Sequence, residues 1–517
     1  MLDRMLASDA DFDGRFITGV LSTGIFCLPS CRARKPKPEN VRFFGDPESA
    51  RQAGLRPCKR CRPDLFYKGR DPERERLSQL IADLRREPES CQGVSEMADA
   101  AGVGTSKLTE SVRRHYQTTP AALLLRFRLQ KARRLLLESD HKIADIAFAC
   151  GFESLSVFNE QFRRSQRMTP SAFRRLRTET SFQLDLPSGY PADFILDYWG
   201  RDPQSLSEQV DGETLRVALR LEGRPVVAQA EIGPQKVRCQ LLEVADHPSA
   251  GKREAASLQA GDGSGPGSTR RGPRGTMAAD SGPERGPEDR GLTAHLHQRL
   301  LAMLGLDQDP QAFEAAVASD PRLAPLLQRS GLRIPRLAGR VEGLVWVVVG
   351  QQVNLPFAFS LRRELYRMAG TPTRCGLVAP PTPRALAEVD IDELRRRRFS
   401  QQKAAYLRGL GQALLQGKIP SPRRLYAVGQ LEKQLLQLKG LGPWSVRYLL
   451  MRLYGCQDSY PLGDAGLVRS LQAFFGLDGR PGPKETQKLM AVFAPYRALA
   501  ALHLWQWKPE EEKESAA

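Results

Sequence analysis

Four cysteines near the N-terminus constrain this chain more tightly than any other feature. Cys27-x3-Cys31 and Cys58-x2-Cys61 are two close pairs with 26 residues between them. Two such pairs joined by a loop let a chain wrap a tetrahedral ion, and four thiolates suit zinc, although spacing alone leaves iron or no metal open. A small unit with a thin apolar core gains stability from such an ion. Lys59, Arg60, Arg32 and Arg34 flank the cluster. They balance the negative charge of the thiolates and are also placed to touch phosphates. Cys91, Cys150, Cys239, Cys375 and Cys456 stand alone and are expected to be small buried residues. Clustered thiols in a reducing compartment read as a metal site, not a disulfide frame.

At 517 residues the chain needs several cores, and its formal net charge of +18 attracts it to polyanions. No stretch reaches the roughly 18 apolar residues that cross a bilayer. The first residues carry Asp3, Asp9, Asp11 and Asp13 with no apolar signal core, so neither a membrane nor a secretory role is expected. The expected organisation is multidomain. Residues 1–75 make a small α+β zinc unit and 76–178 an all-α double helix-turn-helix unit. An α+β domain follows at 181–330 and an all-α domain at 331–508. Strands are predicted at 214–221, 226–232 and 237–244 from their alternation and β-branched content. The Gly/Ser/Pro-rich stretch 247–292 reads as a flexible insertion.

Around the first cysteines run Asp13-Gly-Arg-Phe16 and Ser22-Thr-Gly-Ile-Phe-Cys-Leu-Pro-Ser-Cys31, and around the second Arg56-Pro-Cys-Lys-Arg-Cys-Arg-Pro63. Over residues 10–75 this closely resembles the N-terminal module of Ada proteins. The resemblance implies zinc held by Cys27, Cys31, Cys58 and Cys61. It also implies a methyl-acceptor role for Cys27, which takes a methyl group from a DNA methylphosphotriester. Loss of one negative charge on methylation makes the module a binding switch. Leu28 stands where the family usually has arginine, which removes one phosphate contact.

Residues 94–115 read as helix, glycine turn, helix, with Thr105 and Ser106 as caps and Ser106, Lys107 and Arg113 as DNA-reading candidates. A second unit at 142–164 turns at Gly151, packs Phe158 and Phe162 inward and leaves Asn159, Arg163 and Arg164 outside. Ala147-Phe-Ala-Cys-Gly-Phe152, Phe158-Asn-Glu-Gln-Phe162 and Thr169-Pro-Ser-Ala-Phe173 resemble the two-unit DNA-binding domain of AraC-type regulators. That resemblance implies promoter DNA as a partner and extends the expected partners to RNA polymerase.

Leu438-Lys-Gly-Leu-Gly-Pro-Trp-Ser-Val446 lies between two amphipathic helices. Gly440 and Gly442 permit a hairpin whose backbone N–H groups, with Lys439, face a phosphate. Asp464 follows and precedes a helix, a position that also suits an ordinary N-cap. The hairpin and its downstream aspartate resemble the helix-hairpin-helix glycosylase superfamily, whose catalytic aspartate falls on Asp464. Trp444 stands where lyase-competent relatives carry lysine, which implies a monofunctional glycosylase with no cofactor for the reaction. Val349-Gly-Gln-Gln-Val-Asn354, Tyr496-Arg497 and His503-Leu-Trp505 extend the resemblance to AlkA-type 3-methyladenine glycosylases. By that match Trp444, Trp505, Tyr198 and Phe194 are base-pocket candidates and Leu332, in Gly331-Leu-Arg-Ile-Pro335, a wedge that fills the place of a flipped nucleotide. Leu332 and the tryptophans are also ordinary core residue types.

The implied whole is a bacterial, cytoplasmic, nucleoid-associated protein acting on alkylated double-stranded DNA. The rival reading is a transcription regulator whose C-terminal half only binds DNA. The Pro-Cys-His-Arg motif of O6-alkylguanine methyltransferases is absent from the sequence, so direct O6-methylguanine repair is not expected.

Overall fold

The computed structural model describes residues 1–9, 12–69, 72–245 and 291–509. The expected flexible stretch 247–292 lies outside them apart from Gly291 and Leu292. The chain divides into two compact units, Met1–Val112 and Arg113–Ala517. The division falls within a helix at 105–116.

In the first unit β1 (Ile17–Val20), β2 (Ile25–Cys27), β3 (Val41–Phe44) and β4 (Arg56–Pro57) form one sheet in the order β3-β1-β2-β4. Only β2 and β4 run parallel. Ile17, Phe26, Phe44, Ala50 and Leu55 make a core of five buried residues. So small a core would gain stability from an added crosslink.

The first helix-turn-helix is α1 (Val94–Ala100) and α2 (Thr105–Tyr116), broken at Gly102, whose φ of +64° suits glycine. Thr105 opens α2 rather than capping it. The Gly104 carbonyl already accepts from the Leu108 amide at 2.9 Å. In the second unit, α3 (Pro120–Glu138) leads to the pair α4 (Ile143–Ala149) and α5 (Leu155–Gln166), and α6 (Pro170–Arg175) follows. Ser154 caps α5 by accepting from the Val157 amide, and Phe158 and Phe162 are fully buried.

Next comes a five-stranded antiparallel sheet of β5 (Ser181–Asp185), β6 (Glu208–Asp211), β7 (Thr214–Leu221), β8 (Arg224–Ile232) and β9 (Lys236–Val244), in the order β5-β9-β8-β7-β6. Period-2 burial is clearest in β9, where Val237, Cys239 and Leu241 point inward and Lys236, Arg238 and Gln240 outward. Helices α7 (Ala192–Gly200) and α8 (Leu292–Met303) supply part of the same core.

The remaining helices that matter are α9 (Arg340–Val349), α10 (Leu355–Ala369), α11 (Gln401–Leu415), α12 (Val428–Leu436), α13 (Pro443–Arg452), α14 (Ala465–Phe474) and α15 (Arg497–Gln506). They feed two hydrophobic cores. One joins the sheet, the second helix-turn-helix, α14 and α15. The other joins α9 to α13. Among the isolated cysteines, Cys91, Cys150 and Cys239 are buried and Cys456 half-buried. Cys375 is exposed, against expectation, because it sits in the turn between the short strands Thr371–Pro372 and Val378–Ala379.

Candidate active site and metal centre

Asp464 is the N-cap of α14, its Oδ1 accepting from the Leu467 amide at 2.9 Å. Capping leaves the carboxylate capacity for further bonds, and both are taken by indoles. Trp505 Nε1 donates to Oδ1 and Trp444 Nε1 to Oδ2, each at 3.1 Å. Trp505 packs against the sheet-side core and Trp444 against the all-helical one. The half-buried carboxylate therefore sits where the two cores meet, oriented by three N–H donors. Gly466 makes room for it, since a Cβ there would lie 3.2 Å from Oδ1 and 3.6 Å from the Trp505 indole.

Tyr448, one turn after Trp444 on α13, continues this aromatic wall. The two rings are 5.5 Å apart at an interplanar angle of 30°. The Tyr448 hydroxyl accepts from Trp346 Nε1 at 2.9 Å, and burial pushes its phenol up to about 12. Arg452, another turn on, is 2% exposed. Its guanidinium lies 4.3 Å from the Tyr198 ring centroid, and that of Arg201 lies 3.7 Å away. Burial alone would raise the Tyr198 phenol, but Arg201 and Arg452 outweigh it and bring it below the ordinary tyrosine value. The structure thus brings together Asp464, Trp444 and Trp505 and links Tyr198 to the far end of the same helix. Phe194 is buried at 4% exposure in the sheet-side core, with Arg329 over its ring. The helical spacing from Trp444 would have found Tyr448. Nothing in the sequence marks Gly466.

Leu332 is corrected by its burial. At 1% exposure it fills the sheet-side core, where an aliphatic side chain gains more than in solvent, and it does not protrude as a wedge.

In the hairpin, Lys439 and Gly442 are exposed and Gly440 is half-buried. Gly440 has φ +96°, and a Cβ there would lie 2.5 Å from the Tyr406 ring, so both conformation and space require glycine. Gln351, from the α9–α10 loop, donates to the Gly440 carbonyl at 2.8 Å and the Ser445 hydroxyl at 3.1 Å, pinning the hairpin. Helix α13 begins with Pro443 at N1 and has no side-chain cap, so its first-turn N–H groups suit an anion.

In the first unit the Cys27, Cys31, Cys58 and Cys61 sulfurs all lie within 4.8 Å of one another. Tetrahedral zinc with bonds of about 2.3 Å sets sulfurs about 3.8 Å apart, so the donor set fits. The crowded sulfurs cannot all ionise unaided. Hydrogen bonds from Cys27 and Cys61 pull the Cys31 thiol down, and sharing with Cys31 pushes Cys27 up. Asp13 holds the loop between the first pair, accepting from the Ser30 amide at 3.0 Å and hydroxyl at 2.6 Å. The Leu28 amide donates to Cys61 Sγ at 3.4 Å. Arg32, Arg34, Lys59 and Arg60 are exposed.

Of the DNA-reading candidates, Ser106, Lys107, Arg113 and Asn159 are exposed, with Lys107 paired to Glu110. Arg163 and Arg164 are engaged within the chain, with Asp185 and Asp309, each at 2.8 Å. Arg163 also lines a cavity of about 720 Å³ against β5, β8 and β9, whose Arg175 and Arg238 pair with Glu179 and Glu231.

Three family models match this chain in order: the metal binding domain of Ada over residues 1–64, a helix-turn-helix domain over 97–176, and the HhH-GPD superfamily base excision DNA repair protein over 345–495. A probable bifunctional transcriptional activator/DNA repair enzyme AlkA of Mycobacterium tuberculosis carries the same span, at 29% identity over 98% of this chain and 97% of its own. The chain thus joins an Ada-like zinc-binding domain, a helix-turn-helix domain and an AlkA-like HhH-GPD domain in that order.

Two further relatives each match a part of this fusion. The regulatory protein Ada of Salmonella typhimurium is 32% identical over 33% of this chain and 48% of its own. The DNA-3-methyladenine glycosylase of Bacillus subtilis is 28% identical over 39% of this chain and 68% of its own. No helix among the described residues is long and apolar enough to cross a membrane.

Proposed function

We propose that this chain is a monofunctional DNA glycosylase for alkylated purines, 3-methyladenine and 7-methylguanine among them, fused to a regulator that senses methylphosphotriesters. The observation that carries the reading is the Asp464 carboxylate, held between two lobes by the indoles of Trp444 and Trp505. Alkylation leaves a purine with positive charge, and the faces of Trp444, Tyr448 and Trp505 favour such a ring over a neutral one. The glycosidic C–N bond breaks and its electron pair leaves with the base. The sugar becomes cationic, and the fixed charge of Asp464 stabilises it. Oxygen of a water then bonds to the sugar carbon, its proton leaves, and an abasic site remains. With tryptophan at position 444, no lysine is in place there to form an imine with the opened sugar. The hairpin at Lys439, Gly440 and Gly442 and the uncapped end of α13 grip the backbone without reading sequence.

In the first unit Cys27, Cys31, Cys58 and Cys61 would hold zinc, which keeps thiols ionised at neutral pH. Cys27 Sγ then bonds to the methyl carbon of the phosphotriester. The methyl C–O bond breaks, and the phosphate leaves with the electron pair as a diester anion. The exposed face of α2, with Ser106, Lys107 and Arg113, directs the protein to promoter DNA, where RNA polymerase is the expected partner.

Release of free base from methylated duplex DNA tests the enzymatic half. Wild type is expected to free 3-methyladenine or 7-methylguanine, and Asp464→Asn to slow release about 100-fold or more. Equal release by both proteins would remove the mechanism. Duplex binding by wild type with no release would favour a regulator that only binds DNA. For the first unit, mass analysis after exposure to methylphosphotriester DNA is expected to find one added methyl on Cys27. Modification of another residue would reassign the acceptor.

A further inference from the structure

Asp464 and Trp505 lie on different chain segments. Their hydrogen bond requires a fixed separation between the loop entering α14 and helix α15, which carries Trp505 two turns beyond its first residue Arg497. A matched pair joins the loop before Asp464 to the first residue of α15. Arg497 Nε donates to Asp458 Oδ1 and its second terminal nitrogen to Oδ2, both at 2.6 Å. The Asp458 bond also holds the Arg497 guanidinium above its ordinary pKa. The Ala498 amide donates to the Gln457 carbonyl at 2.9 Å, joining the same segments a second time. Ser459 ties the loop to α13 through the Arg447 carbonyl, and Tyr460 is 2% exposed beside the Arg497 guanidinium. The Asp464 amide then donates to the Pro461 carbonyl at 3.2 Å, so little free chain separates the anchored loop from the carboxylate.

One bond of this loop comes from outside the glycosylase region. The Asp458 amide donates to Oε1 of Gln117 at 3.2 Å. Gln117 directly follows α2 of the helix-turn-helix segment and is held at φ +53°. A residue other than glycine adopts that left-handed conformation at a cost, which its neighbours must offset.

We infer that Asp458 and Arg497 are positioning residues that set the Asp464 carboxylate against the Trp505 indole, and that Gln117 makes the end of α2 part of the same clamp. This rests on the glycosylase reading above. It extends that reading by making Gln117, just past the end of α2, a component of the excision site. The rigid bidentate fork of Arg497 fixes angle as well as distance, which a single point charge does not. Removing it leaves the cores intact and frees the loop to shift.

The test uses the full chain, a duplex carrying one 7-methylguanine and a duplex carrying an abasic analogue. Arg497→Met is expected to lower the single-turnover release rate about tenfold or more, because misplacement of about 1 Å at a reacting centre costs up to about 100-fold. Affinity for the abasic duplex should be retained, and Arg497→Lys should recover part of the rate. In protein labelled with 15N-tryptophan, the Trp505 indole resonance should move in Arg497→Met while that of Trp346, bonded to Tyr448, stays in place. Gln117→Ala should lower the rate about two- to tenfold, in keeping with one hydrogen bond. If Arg497→Met fails to fold, the near-isosteric Asp458→Asn carries the same expectations. An unmoved Trp505 resonance, or a rate loss matched by equal loss of duplex affinity, would overturn the clamp. Gln117→Ala at the wild-type rate would remove the helix-turn-helix contribution. A wild-type chain that releases no base would instead sink the glycosylase reading, and the Trp505 resonance would still decide the clamp.

Discussion

Gly466→Ala should make this protein a poorer enzyme while leaving it folded. The residue lies in the first turn of α14. Replacing glycine by alanine within a helix adds up to about 1 kcal/mol of stability. The new Cβ would lie 3.2 Å from Asp464 Oδ1 and 3.6 Å from Trp505 Cδ1 and Nε1. Oδ1 cannot retreat freely, because the Leu467 amide holds it at 2.9 Å. The strain is therefore relieved at the Trp505 bond. A hydrogen bond to a charged acceptor contributes about 1.5–3 kcal/mol. If that difference is felt in the transition state, the rate falls about 10- to 100-fold. The assay pairs single-turnover base release from methylated duplex with calorimetric Tm. Release should fall, while the helix gain partly offsets the weakened bond and Tm moves by no more than about a few degrees. An alanine variant that cleaves at the wild-type rate would refute the claim that the indole-to-carboxylate geometry limits the reaction.

Gly440→Ala should weaken binding to damaged and undamaged duplex alike, measured by fluorescence anisotropy. It forces a side chain into the Tyr406 ring at φ +96°, and Gly440→Ala/Tyr406→Ala should recover part of the loss. His297 and His503 are held by burial at about 3 and about 4, below their ordinary value of 6.5. Both are neutral in the folded chain at pH 5, where the unfolded chain is protonated. Unfolding then takes up protons, and stability falls as pH drops from about 6.5 towards 4, by up to about 1.4 kcal/mol per unit for each histidine. Urea titrations at pH 7, 6 and 5 should show this, and His297→Gln should flatten the trend; equal midpoints throughout would count against it. Chelation of zinc should expose the four clustered thiols to a disulfide reagent without changing base release. Chelated protein whose thiols stay as unreactive as before would contradict metal binding there.

The metal centre was legible because its information is local. Two short cysteine pairs close a ring whatever else the chain does, and the structure gathers their sulfurs. Strands 214–221, 226–232 and 237–244 were legible for the same kind of reason, since β-branched content, and in the last of them period-2 burial, is written residue by residue. Leu332 and Cys375 misled because a residue type states a preference for burial, not the place where burial is available.

Sequence alone singled out the candidate site residues: four thiols, one carboxylate after a glycine hairpin, and the tryptophans. Tertiary structure decided how they are arranged. It alone places Trp444 and Trp505 on two separate cores with Asp464 between them, ties Arg163 and Arg164 to Asp185 and Asp309, and brings Gln117 to the loop before the carboxylate. These contacts join residues from about 20 to more than 300 positions apart. Such pairings follow from how whole layers pack, and no local pattern of hydrophobicity or spacing encodes them.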